Sequence, residues 1–332
     1  MRTPDFWDEA PGQRGSILAG LLAPVGAAID TAGRVRRALA HPYRAPVPVI
    51  CVGNLVVGGA GKTPVVFALI ELLRQTGASP HVVMRGYGGR LVGPVRVDPA
   101  NHDADAVGDE ALLAAEQAPA WVARDRAAGV RAAAETGAHS VLLDDGFQNP
   151  TVAKDLSLLV VDAAYGFGNR RLLPAGPLRE RIEAGLARAD AIVLLGGDAT
   201  PSELTGTACP ILRATLTPVN GELFAGERVI AFAGIGRPEK FFATLRHLGA
   251  EIIVERPFPD HHRFTAAEIA VLGAAAAQEK ARLVTTAKDA ARLRPEARAG
   301  IEVLDVRIDW RDQPAVTALL VRVLQARGAT SG

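Results

Sequence analysis

Six consecutive residues, Gly58-Gly59-Ala60-Gly61-Lys62-Thr63, carry the chemistry most readily read from this chain. They follow an apolar run that predicts a strand and precede an amphipathic run that predicts a helix, the setting in which a glycine-rich turn cradles phosphates. Backbone N–H groups of Val57, Gly58, Gly59, Ala60 and Gly61 can close around an anion, and the helix beyond turns its positive end toward it. Lys62 suits the bridge between the β- and γ-phosphates of ATP, and the Thr63 hydroxyl suits Mg²⁺. Val56 stands where the G-x-x-x-x-G-K-[ST] pattern begins with glycine. Lysine is scarce, five residues against 32 arginines, so a lysine kept at this position marks a need for a compact ammonium.

A phosphate loop of this kind works with an apolar strand that ends in an acid. Val141-Leu142-Leu143 running into Asp144-Asp145 supplies one. Adjacent residues at a strand end diverge, so one carboxylate can reach a metal while the other orients a different group.

The elements that must position these groups repeat as β-α units, which predicts a mostly parallel sheet covered on both faces. Strands are expected over Val47–Val52, His81–Met84, Ser140–Asp144, Leu156–Asp162 and Ala191–Leu195, with helices over Pro64–Gln75, Asp109–Glu116, Ala127–Thr136 and Glu180–Ala189. The Gly-, Thr- and Pro-rich stretch Gly196–Asn220 breaks the rhythm and reads as a crossing between domains. A second series follows: strands over Val229–Ala233, Glu251–Glu255, Leu283–Thr286 and Glu302–Val306, helices over Pro238–Leu248, Thr265–Gln278 and Gln313–Gln325, and a loop over Pro257–Arg263. The expected fold is thus α/β with two α/β/α domains, a P-loop domain over 46–215 and a smaller one over 216–332. An N-terminal segment, 1–45, precedes them.

That segment is unusual. Gly15 to Ile29 carries no charge, and a helix of that length reaches ~22 Å, short of the ~30 Å hydrocarbon core of a bilayer. Asp5, Asp8 and Glu9 precede it where a secretory signal would be basic, and Arg34, Arg36, Arg37 and Arg44 follow it as a flank that favours an anionic surface. The residues alone leave two readings, an apolar helix docked on a membrane surface or a buried core helix. Composition overall is that of a folded globular chain, 48% hydrophobic and 22% charged. A net charge of +1 gives no support to a nucleic-acid surface. Cys51 and Cys209 are too far apart in sequence for a CxxC metal site and read as ordinary thiols of a reducing compartment. Nothing points to an obligate protein partner.

Taken together the motifs resemble the tetraacyldisaccharide 4'-kinase family of lipid A biosynthesis. The stretches that carry the resemblance are Val52-Gly53-Asn54-Leu55, Gly61-Lys62-Thr63-Pro64, Arg85-Gly86-Tyr87-Gly88-Gly89, Val107-Gly108-Asp109-Glu110, Asp144-Asp145-Gly146-Phe147-Gln148 and the run from Arg171 to Glu180. The second series adds Ala231 to Pro238, Asp260-His261 and Thr285-Thr286-Ala287-Lys288-Asp289. The phosphate loop is generic; the DDGFQ and LLPAGPLRE stretches in this order are specific. The resemblance implies transfer of the ATP γ-phosphate to the 4'-hydroxyl of an acylated glucosamine disaccharide 1-phosphate. It implies ATP and Mg²⁺ as cofactors and attachment, peripheral or monotopic, to the cytoplasmic face of the bacterial inner membrane. Such a lipid does not leave the bilayer cheaply, which favours the docking reading of the apolar N-terminal run.

The resemblance also implies roles. Asp109 takes the proton of the sugar hydroxyl, assisted by His261. Lys62, Asp144 and Glu180 join the catalytic set, while Thr63, Glu110 and Asp145 hold Mg²⁺. Arg85, Tyr87, Gln148 and Arg179 contact phosphates or the acceptor sugar. Asp109 and His261 fall in different expected domains, so the cleft between them is the expected site, with closure on ATP bringing His261 into place. Two departures stand beside Val56: Asn149 replaces the family's usual His and cannot titrate, and Ala287 replaces a Glu, which weakens a functional reading of the Lys288 stretch. A P-loop kinase or ATPase for a soluble acceptor and a membrane-bound nucleotide switch are the rival readings.

Overall fold

The structure, a computed structural model, describes residues 4–7 and 15–328. Asp8 and Glu9, and residues 329–332 of the expected second domain, lie outside the described residues.

The strands in chain order are β1 (Val49–Gly53), β2 (Pro80–Met84), β3 (Val95–Arg96), β4 (Ala120–Val122), β5 (Ser140–Asp144), β6 (Leu156–Asp162) and β7 (Ala191–Leu195). Then come β8 (Ile211–Pro218), β9 (Arg228–Ala233), β10 (Glu251–Pro257), β11 (Arg282–Thr286), β12 (Ile301–Leu304) and β13 (Val306–Trp310). The helices are α1 (Gly15–Ala38), α2 (Lys62–Gln75), α3 (Ala104–Val107), α4 (Asp109–Gln117), α5 (Arg126–Glu135) and α6 (Ile182–Leu186). They continue with α7 (Pro238–His247), α8 (Ala266–Glu279), α9 (Ala287–Ala290), α10 (Pro295–Arg298) and α11 (Gln313–Gly328).

Among the described residues nine strands form one sheet in the order β13-β8-β7-β6-β1-β5-β2-β4-β3, and four form a second, all-parallel sheet in the order β10-β9-β11-β12. In the larger sheet only the outermost pairs, β13 with β8 and β3 with β4, are antiparallel. Its central strands β1, β5, β6 and β7 are buried along their whole length, as near-continuous Val/Ile/Leu runs require when helices cover both faces. On one face Ile50, Val52, Leu142 and Leu158 pack with Leu69 and Leu73 of α2; on the other Cys51, Leu143, Leu159 and Ile192 pack with Phe147 and Val130. Each fully buried aliphatic side chain of this kind contributes about 1.5–3 kcal/mol.

The sequence anticipates the central strands closely and misses the edges. Gly196–Asn220 is not wholly irregular: β8 lies within it and joins the larger sheet. Its threonines, its terminal proline and its half-exposed place beside the edge strand hide the alternation. Glu302–Val306 is not one strand but the junction of two in different sheets. Asn220 staples the crossing, donating to the Val303 carbonyl at 2.8 Å and accepting from the Asp305 amide at 3.0 Å. The smaller sheet is therefore inserted between β8 and β13, and 306–328 return to the larger one. The expected unit 216–332 departs from this, because Val316, Leu320 and Val323 of α11 are buried with Leu69 and Leu73, an apolar face that has no counterpart to cover in the smaller sheet.

The helix α1 runs well past Ile29, so its 24 residues reach about 36 Å. Ile17–Ala38 has the length and composition to cross a membrane, yet one of its faces is bound to the body. Gly26 sits where a Cβ would meet Leu172 at 3.0 Å, buried Asp30 pairs with Arg181 at 3.3 Å, and Arg37 pairs with Glu180 at 3.3 Å. On the opposite side Ile17, Leu21, Val25 and Ile29 stand exposed at helical spacing, Ile17 and Leu21 each at 73%.

Candidate active site

The phosphate loop begins where β1 ends. Gly58 and Gly61 lie at φ 105° and 79°, in the left-handed region that favours glycine, and nothing lies within 4 Å of a Cβ built on Gly58 or Gly59. The turn is an open cradle at the start of α2, whose apolar positions Val65, Val66, Leu69, Ile70 and Leu73 anchor it to the sheet. Val56 explains its own departure: it is buried and bridges to Leu178 in place of a flexible glycine. Val57, expected to face phosphate, donates its amide to the Pro177 carbonyl at 2.9 Å, and Ala60 donates to Gly58 at 3.0 Å. Both amides hold the loop's shape. Lys62 reaches Asn54 Oδ1 at 3.3 Å and Asp145 at 3.8 Å.

Of the two acids that end β5, Asp144 is buried and accepts the Thr63 hydroxyl at 3.0 Å; its other oxygen is buried with no hydrogen-bond partner. Burial first, then the charge of Glu110, push its carboxyl up to about 7 against the pull of Lys62. Asp145, at φ 54°, points elsewhere and takes both oxygens to Arg179 at 2.8 and 3.0 Å. Burial works against its charge, but Lys62 and Arg179 outweigh it and hold its carboxyl below the usual range.

Asp109 opens α4 behind Gly108, whose φ of 91° and a prospective Cβ 2.4 Å from the Tyr87 carbonyl restrict that position to glycine. Its carboxylate is buried, 3% exposed, and meets the smaller sheet's loops. His261 Nδ1 lies 3.1 Å from Oδ2, Arg292 Nε donates to the same oxygen at 2.6 Å, and Oδ1 accepts the Glu110 amide at 2.8 Å. Burial alone would raise this carboxyl, yet the His261 hydrogen bond, Lys288 and Arg292 hold it well below the usual carboxylate range. Lys288 is 3.4 Å from His261 Nε2 and 2.9 Å from Glu110. An ammonium only donates, so this contact assigns the imidazole proton to Nδ1, facing Asp109. His261 already stands at Asp109, so closure is not needed to bring the pair together.

The remaining expected residues divide. Tyr87 is 65% exposed and packs its ring 4.8 Å from His261, and Arg85 is exposed on the same loop. Gln148 donates to Asn54 O at 2.9 Å and to Glu180 at 3.0 Å. Glu180 is buried among Gln148, Arg188 and Arg37, so it ties α1 to the site's floor rather than facing the phosphate loop. Asn149 caps a turn by accepting from Thr151.

Sequence reasoning missed Arg292, Asn54 and the group around Asp162, and discounted Lys288. The scarcity that singled out Lys62 would have found Lys288, and Lys240 as well. Asp162, at the end of β6, holds Lys240 and, at 3.0 Å, Arg237, whose guanidinium stacks 3.5 Å over Tyr165. These ties bring Gly236 so near the phosphate loop that a Cβ would lie 3.1 Å from the Gly59 nitrogen.

Among the described residues no three His, Cys, Asp or Glu side chains converge as a ready-made metal cage. Mg²⁺ takes one or two carboxylates and fills its shell with water and phosphate oxygens. Asp144's unpartnered oxygen and the Thr63 hydroxyl fit such an ion; Glu110 and Asp145 are hard oxygen donors now paired with Lys288 and Arg179.

Known proteins similar to this chain point to one family. A family model described as tetraacyldisaccharide-1-P 4'-kinase matches residues 18–325. The tetraacyldisaccharide 4'-kinase of Rhodospirillum centenum is 54% identical over 98% of each chain, and that of Paramagnetospirillum magneticum is 51% identical over 97% of this chain and 99% of its own. The crystal structure of LpxK from Aquifex aeolicus in complex with ATP superposes with a TM-score of 0.75 at 28% identity, covering 92% of this chain and 99% of that one. The chain belongs to the tetraacyldisaccharide-1-P 4'-kinase family.

Proposed function

We propose that this kinase transfers the γ-phosphate of ATP to the 4'-hydroxyl of a tetraacyldisaccharide 1-phosphate, giving the 4'-phosphorylated lipid A precursor. The observation that carries the mechanism is the Asp109–His261 contact at 3.1 Å, made by residues 152 apart, beside a phosphate loop that opens α2. Glu110, next in sequence to Asp109, is near enough to Asp144 to act on its charge, which links the two halves of the site.

The sugar oxygen attacks the γ-phosphorus as the bond to the β-phosphate oxygen breaks, ADP leaves, and the hydroxyl proton passes to Asp109. A carboxylate held ionised at neutral pH is always ready to accept, and it takes the proton when bond formation has made the hydroxyl acidic. His261 donates Nδ1–H to that carboxylate and so orients it, with Lys288 fixing its tautomer. Lys62 follows the charge that develops on the β- and γ-phosphate oxygens. Mg²⁺ would be held by Thr63 and Asp144, joined by Glu110 and Asp145, and supplies neutralisation of phosphate charge. Arg85, Tyr87 and Arg179 line the approach of the phosphorylated acceptor, where forked donors suit phosphate. Gln148 and Glu180 fix the segment that carries Arg179.

The exposed stripe Ile17, Leu21, Val25 and Ile29 supports docking of α1 on the cytoplasmic face of the inner membrane, with its other face bound to the body. The test is incubation with γ-labelled ATP, Mg²⁺ and tetraacyldisaccharide 1-phosphate in mixed micelles, beside Asp109→Ala. Label in the lipid, reduced ~10³-fold in the variant, is expected; ATP hydrolysis without labelled lipid would overturn the acceptor assignment.

A further inference from the structure

Arg292 belongs to none of the motifs that suggested function, yet it makes the shortest contact to Asp109. Its Nε donates to Asp109 Oδ2 at 2.6 Å, while Nη1 donates to the Gly234 carbonyl at 2.8 Å and to Asp289 Oδ1 at 2.9 Å. The side chain is 5% exposed, and its Nη2 is buried without a hydrogen-bond partner among the described residues. Removing a guanidinium from water with one nitrogen unsatisfied is a poor way to gain stability, since the desolvation cost rivals the Coulombic gain. The arrangement calls for another explanation.

Gly234 supplies it. Its carbonyl also accepts the His261 amide at 3.0 Å, and its own amide donates to Asp289 Oδ1 at 2.9 Å. Both donors to Asp109 Oδ2 are thus registered against one peptide unit at the end of β9. The position is tight: a Cβ on Gly234 would meet Asp289 Oδ1 at 3.1 Å and Arg292 Nη1 at 3.2 Å, so a side chain there would push both by a few tenths of an ångström. His261 is fixed in turn by a left-handed backbone, φ 58°. Two donors converging on Oδ2, with the Glu110 amide on Oδ1, leave the carboxylate plane no freedom to rotate. The planar guanidinium fork does this better than an ammonium, because one edge holds Asp109 while the other holds the template.

We propose that Arg292 is a positioning residue for phosphoryl transfer: with Gly234 and Asp289 it locks the Asp109 carboxylate in the orientation that receives the acceptor proton. This rests on the reading of Asp109 as the base. Arg292 touches no reacting atom, so its loss should lower kcat and leave the KM for ATP and for the lipid nearly unchanged.

The experiment is a double-mutant cycle on the full chain in mixed micelles, with kcat and both KM values for wild type, Arg292→Ala, Asp109→Ala and the double variant. Arg292→Lys and thermal unfolding are followed in parallel. Expected are a kcat loss of about 10²-fold in Arg292→Ala from a misplaced carboxylate, partial recovery in Arg292→Lys, and KM values within about 3-fold of wild type. On the Asp109→Ala background the Arg292 substitution should cost almost nothing further, as groups that act as a unit do. A kcat within about 3-fold of wild type in folded Arg292→Ala, or losses that multiply in the double variant, would overturn the proposal. Where the alanine variant does not fold, Arg292→Gln, which keeps a donor for the Gly234 carbonyl, is judged by the same criteria. An Asp109→Ala enzyme with wild-type kcat would instead remove the base assignment, and Arg292 with it. An inactive Asp109→Ala beside an unimpaired Arg292→Ala removes the Arg292 role alone.

Discussion

Thr63 donates its hydroxyl to Asp144 across 3.0 Å, joining the first turn of α2 to the end of β5 at the point where the nucleotide's metal would sit. The bond satisfies one oxygen of a buried carboxylate and leaves the other bare. Burial and the charge of Glu110 push this carboxyl up to about 7, so it is only part ionised near neutral pH.

A pH dependence follows. Burial and Glu110 raise the Asp144 pKa from 3.8 to about 7 in the folded chain, above its value in the unfolded one. A group raised in this way favours the folded state fully below 3.8, and that contribution is lost as pH rises toward 7. Without Mg²⁺ and nucleotide, Tm should fall between pH 5.5 and 8, and Asp144→Asn should flatten the fall; each kcal/mol moves Tm by about 2–4 °C in a chain of this size. Calorimetry across that range with EDTA tests it. An unchanged slope in Asp144→Asn would assign the dependence to other groups.

Gly236 brings the smaller sheet onto the phosphate loop. A Cβ there would lie 3.1 Å from the Gly59 nitrogen and 3.4 Å from Asp260 Oδ2, so Gly236→Ala must push the two loops apart by a few tenths of an ångström. The KM for ATP should rise about 3–10-fold with Tm little changed, because the clash lies at the junction of two sheets and not in either core. Steady-state kinetics with ATP varied at saturating lipid measures it, and an unchanged KM would show that this contact plays no part in nucleotide binding.

The exposed face of α1 should act independently of catalysis. Ile17→Ser, Leu21→Ser and Val25→Ser together remove apolar surface that already faces away from the body. Sedimentation with anionic vesicles should weaken by at least ~10-fold, given about 1.5–3 kcal/mol for each large apolar side chain buried. Activity toward acceptor in detergent micelles should weaken far less than activity toward acceptor in vesicles. Equal vesicle binding by variant and wild type would exclude this face as the docking surface.

Local sequence determined much of this protein. The central strands are unbroken apolar runs that only a parallel sheet covered on both faces can bury, and the glycines at 58, 59 and 61 allow one kind of turn before Lys62 and Thr63. Asp144-Asp145 at a strand end announced a polar site opposite that turn. Order along the chain also made the motif set specific enough to suggest the family. What local sequence could not settle was which groups meet. Asp144 and Asp145 are chemically identical neighbours, and only the backbone turn at Asp145 sends one to Thr63 and the other to Arg179. Arg292 lies outside every motif, and it and Lys288 gain their roles from the insertion of one sheet between two strands of the other. β13, at the sheet's edge, and β8, next to it, escaped notice because both are half solvated and show no clean alternation. The contact of His261 and Arg292 with one oxygen of Asp109 spans more than 150 residues of chain, and no local preference encodes a distance of that kind. It is fixed by packing, where the Gly234 carbonyl takes two donors and a side chain there would crowd them.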